Sequence, residues 1–461
     1  IYLKIRTFRS FVVNLFGIIK EKRKYNQYFY HAIWMRVKGC AKIPDFVTTS
    51  GNNMTKATSF LLTTLFFITL LIQSNHSVAD DSLPTATDLT RPTPTVTNKP
   101  FVTPAAPVLN AKAYILIDVN SGKILAEKNS EERLPPASLT KMMTLYVVSN
   151  ALHHEQIHLN DNVRVSREAW KIGGSRMFIK EGQQVPVEDL LKGIIVDSGN
   201  DACVAMAEHI GGTEGAFTDI MNQQAQNLGM KNSHFTDSTG LPDPDLYTTA
   251  KDLAILGRAL VSDFPQYYSW YKQKWFTYNG IRQPNRNRLL WRDNQVDGIK
   301  TGHTNEAGYC LVSSAKRDNM RLLAVVLGEP SDSSRADDSE KLLNYGFRFF
   351  ETHQLYKSGQ SITELPLYKG TIDKVTVGLT DAQYITIPAG QYQRLNISTK
   401  IPAYLQAPIK KGDKIGELVV QFDSNVVATR PLYALQTIEA GGFYTRSKDA
   451  IRLAFKGWFG S

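Results

Sequence analysis

Cysteine is scarce in this chain. Its 461 residues include three, Cys40, Cys203 and Cys310. Two thiols downstream of residue 79 cannot make the disulfide framework that staples small exported domains. They are expected to be buried and free rather than joined as Cys203–Cys310. Charge of one sign is also missing from most of the chain. The formal net charge is +10, but residues 1–53 carry ten Lys and Arg against two acids, and residues 54–79 add only Lys56. The remainder is close to neutral, at about +1. A nucleic-acid partner, which needs a basic face to meet phosphates, therefore has no electrostatic support. No internal repeat is evident, and no cluster has metal-ligand spacing. Neither a metal nor another cofactor is expected.

Long apolar runs are absent except for one. Phe60 to Ile72 is apolar apart from threonines, and short for a bilayer span. It follows the basic start Met54-Thr55-Lys56 and precedes Ser77-Val78-Ala79, small residues suited to cleavage before Asp80. Residues 54–79 thus read as a secretory signal, with an uncleaved anchor as the alternative. A signal should come first, so residues 1–53 are expected to be a non-native upstream extension with Met54 as initiator. A cytoplasmic amphipathic extension is the other reading. Residues 80–109, rich in Thr and Pro, read as an extended linker.

From residue 110 the pattern changes. Ala113–Asp118 and Lys123–Ala126, on either side of Asn120-Ser121-Gly122, predict a hairpin. Helical patterns run from Ser138 to about Leu260, broken by loops such as Asp237 to Asp245. Strands are expected at 297–300, 307–314 and 321–327, with a helix over 336–352. Strands at both ends and helices between predict an α/β domain over 110–360 whose sheet is mostly antiparallel. Short alternating runs such as Lys374–Val377, Tyr384–Ile387 and Glu417–Gln421 predict a small all-β sandwich domain over 361–440. The last segment, 441–461, spaces Tyr444, Ile451, Phe455, Trp458 and Phe459 at helical steps against Arg446, Lys448, Arg452 and Lys456. That is a basic amphipathic helix, read as an interfacial membrane anchor. A helix docked on its own domain is the alternative.

Ser138-Leu139-Thr140-Lys141 follows Pro135-Pro136-Ala137, and prolines lead into helices but do not sit inside them. On a helix Ser138 and Lys141 share a face, where the amine can take the hydroxyl proton. The same tetrad recurs at Ser269–Lys272 and Ser313–Lys316. An acyl-transfer site also needs a proton shuttle, a cationic substrate anchor and an oxyanion hole. Ser198-Gly199-Asn200 and Lys300-Thr301-Gly302, followed by His303, supply these types in one expected domain. Decoys at Ser50-Gly51-Asn52 and Lys357-Ser358-Gly359 fall in the leader and in the join between domains. Lys141 must be neutral to act as a base, so its pKa must fall well below about 10.4. Burial and the nearby Lys300 cation would both push it that way.

The ordered triple Ser-x-x-Lys, Ser-x-Asn, Lys-Thr-Gly is that of penicillin-binding proteins and class A β-lactamases. Longer stretches narrow the resemblance: Pro135 to Met142, Gly193 to Ala202, Asn279 to Gln283, Val296 to Thr304, Leu342 to Phe350, and Lys456 to Gly460. Over about 110–460 the chain resembles the low-molecular-mass penicillin-binding proteins that are D-alanyl-D-alanine carboxypeptidases, peptidase family S11. The resemblance implies a serine β-lactamase/DD-peptidase-like fold. It implies that Ser138 is acylated, Lys141 accepts its proton and Ser198 relays a proton to the leaving D-Ala. Asn200 would bond the substrate amide. Lys300 and Thr301, with Gly302 on the same strand, would bind the terminal carboxylate. His303 and Arg335 would flank the pocket. The implied partners are peptidoglycan pentapeptides, β-lactam antibiotics and the inner-membrane surface, on its periplasmic face. A β-lactamase, a non-catalytic penicillin-binding sensor, and transpeptidase or endopeptidase activity are the competing readings.

Overall fold

The computed structural model describes residues 103–459. The expectations for 1–53, for 54–79 and for most of the linker fall outside them. The linker's last residues are held in place. Leu109 is buried, Asn110 N–H donates to Asp338 Oδ2 at 2.9 Å, and Tyr345 OH donates to Pro104 O at 2.8 Å.

Five antiparallel strands make the main sheet: β1 (Ala113–Asp118), β2 (Ile124–Lys128), β3 (Val296–Thr304), β4 (Gly308–Arg317) and β5 (Met320–Glu329). Their order is β2-β1-β5-β4-β3. Side chains alternate across a strand, and both faces here are apolar. Ile115, Ile117, Leu323 and Val325 point into one core, while Tyr114, Leu116, Leu322 and Val326 point into the other. Helix α1 (Lys141–His153) lies in the first core. It is buried almost all round, as expected of a helix apolar on every side. Around it pack α2 (Asn200–Gly211), α3 (Glu214–Leu228) and α4 (Ala250–Asp263). The second core is closed by α5 (Asp332–Phe349). Ser331 caps α5, its hydroxyl accepting the Ser334 N–H.

Two boundaries differ from the sequence reading. The helix expected over 336–352 starts at its Ser cap and stops at Phe349. Phe350–Tyr356 is instead a strand, β6, paired with Gln383–Pro388. Part of the range assigned to the α/β domain therefore belongs by pairing to the β domain. The strand expected over 297–300 runs to Thr304, so Thr301, Gly302 and His303 lie within β3 with Lys300 rather than beyond its end.

The β domain has its own core of Leu365, Val375, Val377, Leu418, Val420 and Leu432. It meets the α/β domain through a polar knot. Buried Asp118 accepts from Thr352 Oγ1 at 2.9 Å, and Lys123 Nζ donates to Thr386 O at 3.0 Å. The expected amphipathic helix forms as α6 (Phe443–Phe459). It is tied to the β domain by Asp449, buried, which accepts the Lys369 N–H at 2.7 Å. Phe443, Tyr444 and Ile451 remain exposed. No helix among the described residues is long and apolar enough to cross a membrane. Cys203 and Cys310 are free and buried, as expected.

Candidate active site

The local structure around Ser138 is tighter than the predicted helix. Ala137–Thr140 is a 3-10 turn, and α1 begins at Lys141. In a 3-10 turn residues three apart eclipse one another, which brings the two side chains together. Lys141 Nζ donates to Ser138 Oγ at 2.9 Å. The same nitrogen donates to Thr239 O at 2.6 Å. That carbonyl is presented by a turn built on Asp237, whose Oδ1 accepts the Gly240 N–H at 2.6 Å and the Thr239 hydroxyl at 2.7 Å.

A second Ser–Lys pair faces the first. Lys300 Nζ donates to Ser198 Oγ at 2.9 Å and to Thr301 O at 3.1 Å. Ser198 follows a π-helical turn, Gly193–Asp197, and sits in the left-handed region with φ 59°. That conformation is uncommon for a side chain larger than Gly and marks a position held by its surroundings. Strand β3 lies directly against the turn that carries Ser138. A Cβ on Gly302 would stand 2.9 Å from Pro136 O, so only glycine permits this approach.

Both lysines are buried, Lys141 at 0% exposure and Lys300 at 3%. Burial disfavours each ammonium and is the first cause lowering both pKa values. For Lys300, the neighbouring Lys141 and then Arg286 push it further down. For Lys141 the opposing push comes from Cys203 and Asp237, and Arg286 rather than Lys300 is the cation that adds to burial. The expected mechanism of the shift thus holds for burial, while the second cation is a residue the sequence did not single out.

Ser138, Ser198, Thr301, Gly302, His303 and Arg335 line one cleft of about 450 Å³. Arg335 Nη1 donates to Gly302 O at 3.1 Å, Nη2 pairs with Asp332, and the guanidinium lies 5.4 Å from the Tyr309 ring. The His303 ring lies tilted against that of Tyr309, with centroids 4.0 Å apart. Lys141, Lys300 and Asn200 do not line the cleft: each lysine lies behind its serine, and Asn200 Nδ2 donates to Gly173 O at 2.7 Å, tying down the loop that carries Ser175. The decoy tetrads do not form pairs of this kind. Ser269 and Lys272 are both exposed. Ser313 is buried in β4 and Lys316 is exposed, because residues three apart on a strand point to opposite faces.

Comparison with known proteins places this geometry. Residues 101–331 match the family model described as peptidase S11, D-alanyl-D-alanine carboxypeptidase. Residues 350–440 match that of the penicillin-binding protein 5 C-terminal domain. The chain belongs to the S11 D-alanyl-D-alanine carboxypeptidase family. It is 46% identical to the D-alanyl-D-alanine carboxypeptidase DacC of Escherichia coli, over 77% of this chain and 91% of that protein. The crystal structure of penicillin binding protein 5 from Haemophilus influenzae is 44% identical, with a TM-score of 0.70, covering 73% of this chain and 99% of that one. Penicillin-binding protein D2 of Listeria monocytogenes in its cefotaxime-bound form is 30% identical, with a TM-score of 0.50, covering 53% of this chain and 100% of that one.

In this S11 chain four residues that line the cleft, Gly174, Ser175, Arg286 and Tyr309, escaped the sequence reading. Arg286 Nη1 donates to Ser175 Oγ at 2.6 Å, and both line the cleft with Tyr309. The only signal for Arg286 was its place in the polar stretch Asn285-Arg286-Asn287, flanked by residues with no obvious function. Beside it, Asp197 is 2% exposed, its Oδ1 has no hydrogen-bond partner, and burial raises its carboxyl to about 7. Asp201 accepts the Met177 and Phe178 N–H groups at 3.0 and 2.9 Å, bracing the wall of the cleft.

Proposed function

We propose that this chain removes the terminal D-alanine from peptidoglycan pentapeptides through an acyl-enzyme on Ser138. The observation that carries this is the double relay: two buried lysines, each 2.9 Å from a different serine, with both serines lining one cleft. Membership of the S11 family and the likeness to DacC support the same reading.

Ser138 Oγ attacks the carbonyl of the penultimate D-Ala as Lys141 Nζ takes its proton. Burial lowers the Lys141 pKa and so favours the neutral amine that this step needs. The developing oxyanion is held by the backbone N–H groups of Ser138 and His303. The C–N bond breaks, and the departing D-Ala amine takes the Ser198 hydroxyl proton, replaced from the adjoining lysines. Water then attacks the ester, Lys141 takes its proton, and Ser138 is restored. Lys300, Thr301 and Arg286 form the anchor for the terminal carboxylate. Gly302 lets β3 lie against the turn, His303 and Arg335 shape the rim of the cleft, and Asn200, which the family resemblance would place on a substrate amide, holds the loop that carries Ser175. A β-lactam presents a comparable carbonyl to Ser138. Among the described residues no Asp or Glu lines the cleft. Class A β-lactamases deacylate with the help of a carboxylate, so the penicilloyl ester here should persist.

Export and attachment belong to the same proposal. The basic face of α6 and its exposed Phe443, Tyr444 and Ile451 suit the anionic interface of the inner membrane, on its periplasmic side. The test of the activity is release of D-Ala from a pentapeptide, with Ser138→Ala as control and a penicillin adduct on Ser138 by mass spectrometry. Adduct formation without D-Ala release would replace this reading with a sensor. Rapid nitrocefin turnover would replace it with a β-lactamase.

A further inference from the structure

The two domains meet around a polar hollow of about 250 Å³ that shares no lining residue with the cleft at Ser138. The catalytic domain contributes Ser121, from the loop joining β1 and β2, and Arg258 of α4. The β domain contributes Asp381, Gln383 and, on the strand Asn425–Ala434, Arg430. The contact behind the hollow is polar too. Ser121 Oγ lies 2.6 Å from Thr386 Oγ1, beside the Asp118–Thr352 and Lys123–Thr386 bonds. Polar contacts of this kind exchange readily with water, so the two domains are not welded here by apolar packing.

Each arginine is held in place by neutral acceptors. Arg258 Nε donates to Val119 O at 2.7 Å, and its Nη2 to Asn120 O at 3.4 Å. Arg430 Nε donates to Gln383 Oε1 at 2.7 Å. Gln383 is itself buried and fixed, its Nε2 donating to Tyr384 O at 2.7 Å. Carbonyl and amide oxygens satisfy hydrogen bonds but leave the charge uncancelled. Among the described residues neither guanidinium pairs with an Asp or Glu. Asp381, the acid on the lining, accepts the Thr380 hydroxyl at 2.9 Å and pairs with neither arginine. Two like charges facing one hollow repel each other, and the planar fork of a guanidinium matches the paired oxygens of an oxyanion.

We propose that this hollow is a binding site for a small oxyanion, a carboxylate or a phosphate, held between Arg258 and Arg430. The anion relieves the repulsion and bonds both domains at once, so it also sets how firmly one domain is held on the other. Because both arginines are exposed, each should contribute only on the order of fivefold to the dissociation constant.

The test titrates the protein with sodium phosphate, and separately with disodium succinate, against sodium chloride at equal ionic strength, by calorimetry. Hydrogen exchange locates the binding: phosphate or succinate should slow exchange in residues 119–123 and 379–384, and chloride should not. Which of the two protects distinguishes a phosphate site from a carboxylate site. Arg258→Gln and Arg430→Gln should each weaken binding about fivefold. The double variant should lose the protection, with penicillin acylation and the anion-free melting temperature unchanged. Should Arg258→Gln lower that melting temperature, Arg430→Gln, on the other domain, decides alone. Protection by neither anion, or protection that survives in the double variant, overturns the proposal.

Discussion

The carbonyl oxygen of Ala137 occupies the space that a side chain at Gly240 would need. A Cβ built on Gly240 falls 1.9 Å from that oxygen, and φ there is +83°. The turn that offers Thr239 O to Lys141 and the turn that carries Ser138 are thus packed backbone to backbone.

Gly240→Ala should therefore damage catalysis more than folding. The added methyl group must push the two turns apart, and displacements near 1 Å at a reacting centre cost on the order of a hundredfold. Acylation by penicillin, followed as a mass shift, should slow by that order while the circular dichroism spectrum stays close to the parent's. An unchanged acylation rate would show that the turns yield freely.

As the proposed general base Lys141 would act only when neutral, so its lowered pKa would set the acid limb of the pH profile. Activity should fall as pH drops through that value, which burial places below the ordinary lysine range near 10.4. Lys141→Arg substitutes a cation that does not deprotonate. It should lose about 10²- to 10⁴-fold in acylation rate at every pH, the usual worth of a general base. A variant that recovers at high pH would argue against Lys141 as the base.

Asp197 should make the folded state less stable as the solution becomes more alkaline. Its carboxyl is raised from 3.8 to about 7 by burial, so the native state holds a proton that the unfolded chain has released. The stability it contributes is fully present below about 4 and is lost as pH rises through about 7. Asp197→Asn should remove that slope and stabilise the protein above pH 7 by a few kcal/mol, of order. Thermal melts at pH 5 and pH 8 measure this. Equal melting temperatures for variant and parent at pH 8 would count against the raised carboxyl.

Arg286→Ala should raise KM for pentapeptide roughly tenfold or more, with a smaller change in kcat. A buried or half-buried charge-assisted contact to a carboxylate is worth about 1.5–3 kcal/mol. Steady-state kinetics decide this, and a change confined to kcat would move Arg286 from substrate binding to lysine tuning.

Attachment through α6 should depend on charge and on apolar area together. Tyr444→Ser with Ile451→Ser should shift the protein from anionic vesicles into the supernatant on flotation, and so should raised salt. Binding that ignores both changes would leave α6 as a docked terminal helix.

Much of the site was legible from order and context. Ser138, Ser198 and Lys300 stand in motifs whose residue types are what acyl transfer requires, and the two decoy tetrads had no partners. What could not be read was which lysine loses its water. Lys141 and Lys316 look alike as text; one begins a helix buried on all sides and the other ends on an exposed strand face. Arg286 and Asp197 were missed for the same reason, since their significance lies in neighbours about ninety residues or a cleft away, and in burial.

Local chemistry in the sequence was enough to place most of the elements, the S11 resemblance and Ser138 as the candidate nucleophile, because periodicity, prolines and short motifs act within a few residues. Tertiary structure decided the rest. It set the 3-10 turn that eclipses Ser138 and Lys141, the left-handed backbone at Ser198, and the packing of Gly302 on Pro136. It also removed water from both lysines. A pKa depends on everything within several ångströms, and only folding chooses those neighbours.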